Sequence, residues 1–222
     1  MFHKTINNLD LIKKEIQSKV SKLNYLNYNP KIIAICKTFP ISDILPLINH
    51  GHIHFGENKV QESIEKWTSI KSDFKDIKLH MIGKLQTNKV KYVVPLFDYI
   101  HSVDSLKLAE KISQQQVKNN KIMKLFIQIN IGNENQKSGI LIDQLDNFYN
   151  KCINDLGLNI IGLMCLPPND NKSQIYFSKM QQLVRKLQLK DISMGMSNDY
   201  LEAINYQSTY LRIGTKIFGK RS

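Results

Sequence analysis

The chain has 222 residues, 42% of them hydrophobic, enough for one sizeable core and too few for two, so a single domain over residues 1–222 is expected. It contains no run of about twenty apolar residues, and Asp10, Lys13, Lys14 and Glu15 stand where a signal peptide would be apolar, which points to a cytoplasmic protein without a membrane helix. The formal charge is +12, yet only Arg185, Arg212 and Arg221 of the 31 basic residues are arginine; this describes a solvated lysine-rich surface better than a nucleic-acid binder.

Ile6, Leu9, Ile12, Ile16, Val20 and Leu23 lie three or four apart and predict an amphipathic helix over 5–23, ending before Asn27-Tyr28-Asn29-Pro30. Short apolar runs then recur at 32–36, 53–55, 79–82, 99–103, 125–131, 160–166, 192–196 and 210–218. Between most of them lie helix-like stretches at 41–50, 58–72, 105–119, 141–155, 173–188 and 198–206. Strand alternating with helix predicts a parallel sheet, and eight repeats predict an α/β fold of the (β/α)8 TIM-barrel type with an extra N-terminal helix. Such barrels build their sites at the carboxyl ends of the strands.

At the end of the first predicted strand, Lys37 follows the apolar run Ile32 to Cys36. Desolvation favours a neutral amine, which attacks aldehydes, but a lysine at a strand end also snorkels to solvent or binds phosphate as a point charge. Position alone leaves these readings open. The last two strands end in Ser193-Met-Gly-Met-Ser197 and Leu211-Arg-Ile-Gly-Thr215. Each turn pairs a glycine with a hydroxyl residue, a combination suited to a phosphate, although either glycine alone also serves a plain tight turn. Arg212, within a nearly apolar strand, needs a partner to offset its desolvation.

Ala34-Ile-Cys-Lys37-Thr, Phe55-Gly-Glu-Asn58, His80-Met-Ile-Gly83, Leu85-Gln-Thr-Asn-Lys89, Gly195-Met-Ser197 and Arg212-Ile-Gly-Thr215 together resemble the YggS/PROSC family of pyridoxal 5′-phosphate (PLP) homeostasis proteins. The resemblance runs from about Lys31 to Gly219. It implies a fold like the barrel of alanine racemase, PLP as cofactor, Lys37 as the internal aldimine lysine and Arg212 facing the pyridine nitrogen. It further implies that Ser197, Gly214 and Thr215 hold the phosphate and that Asn58 lies near the cofactor. His80 and His101 are placed at strand ends, as site residues or as core histidines. Cys36, Phe39 and Lys84 stand where the family usually has Ser, Lys and Pro.

The resemblance implies a carrier or buffer of PLP with no catalytic residue, its partners being PLP and PLP-dependent apoenzymes, acting as a monomer. The alternative is a PLP-dependent racemase-type enzyme. A racemase needs acid–base groups on both faces of the substrate carbon, the sequence offers only Lys37 clearly, and little chain follows the last strand. Two further readings stand apart. His50, His52 and His54, on one face of a strand, would ligate a metal; Lys84, Lys89 and Lys91 near Tyr92 would bind nucleic acid. Cys36, Cys152 and Cys165, without a C-x-x-C pair, are expected to be reduced thiols.

Overall fold

The computed structural model describes residues 3–219. Eight parallel strands close into a barrel in sequence order: β1 (Lys31–Ile35), β2 (His54–Glu57), β3 (Lys78–Met81), β4 (Tyr99–Val103), β5 (Lys124–Ile129), β6 (Ile160–Cys165), β7 (Asp191–Met196) and β8 (Tyr210–Ile213). β1 pairs with β8 from Lys31 opposite Tyr210 to Ala34 opposite Ile213, closing the ring. The expected α/β barrel is therefore the observed one.

The period of two along each strand divides the apolar residues between two cores. Ile32, Ala34 and Cys36 face the helical layer, whereas Ile33 and Ile35 join Tyr99, Phe126, Met164 and Tyr210 in a smaller cluster. β4 and β8 lie opposite each other in the ring, yet the Tyr99 and Tyr210 rings are 5.7 Å apart, so this second cluster fills the barrel interior.

The outer layer comprises α1 (Lys4–Lys22), α2 (Ile41–Asn49), α3 (Val60–Asp73), α4 (Val90–Leu96), α5 (Leu106–Lys118), α6 (Leu145–Asn150), α7 (Ser173–Lys186), α8 (Tyr200–Asn205) and α9 (Thr215–Phe218). The N-terminal helix lies against α2, α8 and α9, burying Leu9, Ile12 and Ile16. It thus takes the place that a full helix after β8 would occupy.

Two expectations change. The run 210–218 is not one strand: β8 stops at Ile213, Gly214 caps the turn, and Ile217 is buried from within α9. The stretch 141–155 is a 3₁₀ turn over Ile142–Gln144, then α6, then a π-helical turn over Lys151–Asp155.

Candidate functional site

At the carboxyl ends of the strands lies a cavity of about 720 Å³ lined by Lys37, Asn58, Ser197, Arg212, Gly214 and Thr215 among others. Lys84, Gln128, Asn130, Lys137 and Asp199 add polar groups to its wall. The ends of seven strands, β4 being the exception, thus converge on one volume, which lies in the size range of small-molecule sites.

Lys37 follows the buried Cys36 and is itself half-buried. The next residue, Thr38, has φ +69°, an uncommon conformation for a residue carrying a Cβ, and its N–H donates to Glu62 Oε1 at 2.7 Å. Behind this turn lies a charged network. Glu57 is fully buried and its Oε1 accepts from Lys66 Nζ at 2.9 Å and from Trp67 Nε1 at 2.9 Å. Lys66 also donates to the Cys36 carbonyl and to Glu62, each at 3.0 Å. Burial pulls the Lys66 ammonium down, but Glu57, Cys36 and Glu62 together outweigh it and hold the group above its ordinary value. Burial, then Glu57, pushes the Cys36 thiol well up, so it stays protonated. The turn carrying Lys37 is thereby braced from α3.

Asn58 sits just past β2, and its Oδ1 is buried without a hydrogen-bond partner among the described residues. A Cβ on Gly83 would collide with the Asn58 carbonyl oxygen, so glycine is what lets the chain after β3 cross that close. Gly195 has φ +87°, and a Cβ there would lie 2.6 Å from that of Ala203. The turn it permits brings Ser197 Oγ to the N–H groups of Gly214, at 3.3 Å, and Lys216, at 3.4 Å, joining the ends of β7 and β8.

Arg212 is 3% exposed. Its Nη1 donates to Ser193 Oγ and its Nη2 to the Cys165 carbonyl, each at 2.7 Å. Both acceptors are neutral. Burial lowers its pKa, with Cys165 and Asp199 acting in the opposite direction.

The sequence profile described as the alanine racemase N-terminal domain matches residues 8–222. A pyridoxal phosphate homeostasis protein of Haemophilus influenzae is 36% identical, the alignment covering 97% of this chain and 95% of that one. The chain belongs to this family. A homeostasis protein of Aquifex aeolicus is also 36% identical, over 86% of this chain and 87% of its own. The structure of PipY from Synechococcus elongatus PCC7942 with PLP bound superposes with a TM-score of 0.80 at 32% identity, covering 92% of this chain and all of that one (100%). Alanine racemase from Corynebacterium glutamicum has a TM-score of 0.70 at 14% identity, covering 98% of this chain and 60% of that enzyme, and shares the fold.

The histidine candidates fall outside the cavity. His80 and His101 are not at its rim: both are fully buried inside the barrel, at the third positions of β3 and β4. His50, His52 and His54 do not share a strand face. His50 caps α2 with its Nε2 3.2 Å from Asp10, His52 Nε2 meets the His54 carbonyl at 2.8 Å, and His54 Nδ1 meets His80 at 2.9 Å. Among the described residues no group of three or more His, Cys, Asp or Glu is placed to hold a metal. Lys84 lines the cavity, while Lys89 and Lys91 sit around the Tyr92 ring, at 6.0 and 4.9 Å from its centroid. No helix among the described residues is long and apolar enough to cross a membrane.

Ser193 and Glu57 stand within sequence motifs that announce no role for either. Ser193 fixes the arginine, and Glu57 braces the Lys37 turn. The available signal was a polar residue within an apolar strand, Ser193 facing the barrel interior and Glu57 facing α3.

Proposed function

We propose that the cavity holds PLP covalently through Lys37 Nζ and that the chain stores this cofactor and passes it to PLP-dependent apoenzymes. The observation that carries this reading is Arg212, a buried guanidinium lining the same cavity as Lys37, on the neighbouring strand, with neutral acceptors for both of its hydrogen bonds among the described residues. A donor-only group so placed fits an unprotonated pyridine nitrogen. The Ser197 and Thr215 hydroxyls and the Gly214 backbone fit a phosphate, with Lys84 and Lys137 adding positive charge around the cavity. The orphan Asn58 Oδ1 offers one more polar anchor. When bound, PLP supplies a reactive aldehyde and an electron-withdrawing ring. A guanidinium disfavours protonation of the ring nitrogen and so weakens that withdrawal, which suits holding over turnover.

The homeostasis relatives and PLP-bound PipY support this assignment. Three free, buried cysteines support a reducing, cytoplasmic setting. The chain acts as a monomer, and its partners are apoenzymes.

Loading with PLP, reduction with borohydride and mass mapping of peptides tests the reading. A reduced adduct on Lys37, lost in Lys37→Ala, is expected. No adduct, or the same loading in Lys37→Ala, refutes it. Sustained turnover of an amino-acid panel by loaded protein would establish the racemase-type alternative, and PLP transfer to an apoenzyme without turnover the carrier.

A further inference from the structure

Beneath the cavity, five side chains make one hydrogen-bonded file through the middle of the barrel. Arg212 Nη1 donates to Ser193 Oγ at 2.7 Å, and Ser193 Oγ lies 2.9 Å from His101 Nδ1. His101 Nε2 lies 2.9 Å from His80 Nδ1, and His80 Nε2 lies 2.9 Å from His54 Nδ1. Ser193, His80 and His101 are completely buried, while His54 starts β2 and is half-buried at the barrel's opposite mouth. The file therefore runs from β8 through β7, β4 and β3 to β2.

The donors and acceptors fix a direction. Arginine only donates, so Ser193 Oγ accepts from it and has one proton to give. Giving it to His101 Nδ1 makes His101 a donor through Nε2, which makes His80 an acceptor at Nδ1 and a donor through Nε2, and His54 an acceptor at Nδ1. Every contact in the file then joins one donor to one acceptor. In the reverse direction Ser193 would accept from both Arg212 and His101, and its own proton would have no acceptor in the file. The unscreened charge of buried Arg212 also favours imidazole protons pointing away from it.

We propose that His54, His80, His101 and Ser193 form a single-direction relay, with all three imidazoles neutral and protonated on Nε2. It positions Arg212 and transmits changes at the cavity to the far mouth of the barrel. This rests on the reading of Arg212 as a cofactor contact. Neutral rings are essential, because a doubly protonated imidazole would set N–H against N–H at the next contact. The surroundings enforce neutrality. Burial and then the ammonium groups of Lys31, Lys78 and Lys124 push His54 down to about 4, with Asp98 opposing. Burial, His101, His54, Lys31 and His52 lower His80, while burial, Arg212 and His54 lower His101. The Tyr99 ring stacks on His80, and the Tyr210 hydroxyl, facing Asp191, lies 3.5 Å from that of Tyr99. Lysines at the mouth thus protect a file whose other end is an arginine.

The test is a ¹H–¹⁵N correlation spectrum of the histidine rings of the whole chain, cofactor-free and PLP-loaded, with His54→Gln used to assign His54. In cofactor-free protein at pH 7, all three rings should carry the proton on Nε2. Loading should shift the His54 nitrogens, and Ser193→Ala at equal loading should lose that shift. An Nδ1 proton on any of the three rings, a His54 unmoved by loading, or the same movement in Ser193→Ala overturns the relay. Should Ser193→Ala not fold, the native tautomers and the native response to loading still decide. Should PLP not load onto Lys37, the proposed function fails, while the tautomers of the cofactor-free protein still decide whether the relay exists.

Discussion

Glu57 carries more than its place in the Phe55-Gly-Glu-Asn58 motif suggests. Its buried carboxylate is the counter-charge to Lys66, whose side chain is only 9% exposed. Removing one partner of such a pair leaves an uncompensated buried charge, at a typical cost of about 3–5 kcal/mol. Glu57→Ala is therefore expected to lower the unfolding free energy from urea titration by an amount in that range, seen as a lower midpoint with an unchanged denaturant slope. Because Lys66 also holds the Cys36 carbonyl, the same change should slow PLP attachment at Lys37 more than an equally destabilising change remote from the cavity. Replacing the pair together, Glu57→Leu with Lys66→Met, should recover much of the stability but not the attachment rate. Equal attachment rates in all three proteins would separate Glu57 from the site.

At the scale of elements, the barrel depends on α1 to close its outer layer. Leu9 is completely buried in α1. Leu9→Ala should cost about 2–5 kcal/mol, since a cavity there lies between α1 and the barrel wall. That change should leave PLP attachment to the remaining folded protein intact, because α1 contributes nothing to the cavity lining. Gly83→Ala should do the reverse. Its added methyl forces Asn58 to move, so PLP loading should fall, with a stability loss of about 1–3 kcal/mol from overpacking. Loading of Gly83→Ala at the native level would show that Asn58 does not matter to the cofactor. Most of these elements were legible in the sequence because long helices repeat their apolar residues every three or four positions. The elements misread were the short ones. α4 has seven residues and carries Pro95, so no periodicity announces it. Ile213, Ile217 and Phe218 are apolar in either a strand or a helix, and only the turn at Gly214 separates β8 from α9.

For the whole molecule, the sequence order of strand ends was enough to bring Lys37, Asn58, Ser197, Arg212, Gly214 and Thr215 to one end of a barrel, because parallel strands in sequence order all finish on the same side. The polar interior was not legible. Alternation assigns His80 and His101 to a face but cannot say that inward positions of different strands meet at hydrogen-bond distance. That buried file has a measurable consequence for pH stability. His80 and His101 are held neutral well below their ordinary value near 6.5, whereas in the unfolded chain both protonate near it. Below that pH the unfolded state binds more protons than the folded one, so stability falls with acidification; above it the two states bind equally and the dependence vanishes. Each histidine contributes a slope of about 1.4 kcal/mol per pH unit once the pH is well below 6.5, and two give about 2.7. Burial holds His52 and burial with nearby lysines holds His54 at about 4, and both steepen the decline in the same direction. Urea midpoints measured at pH 8, 7, 6 and 5 should be level between the first two and drop progressively after them. His101→Phe should remove about one proton from the uptake on unfolding at pH 5. A midpoint unchanged from pH 7 to pH 5 would mean that these imidazoles are already protonated in the folded barrel, and a file of neutral rings could not then exist.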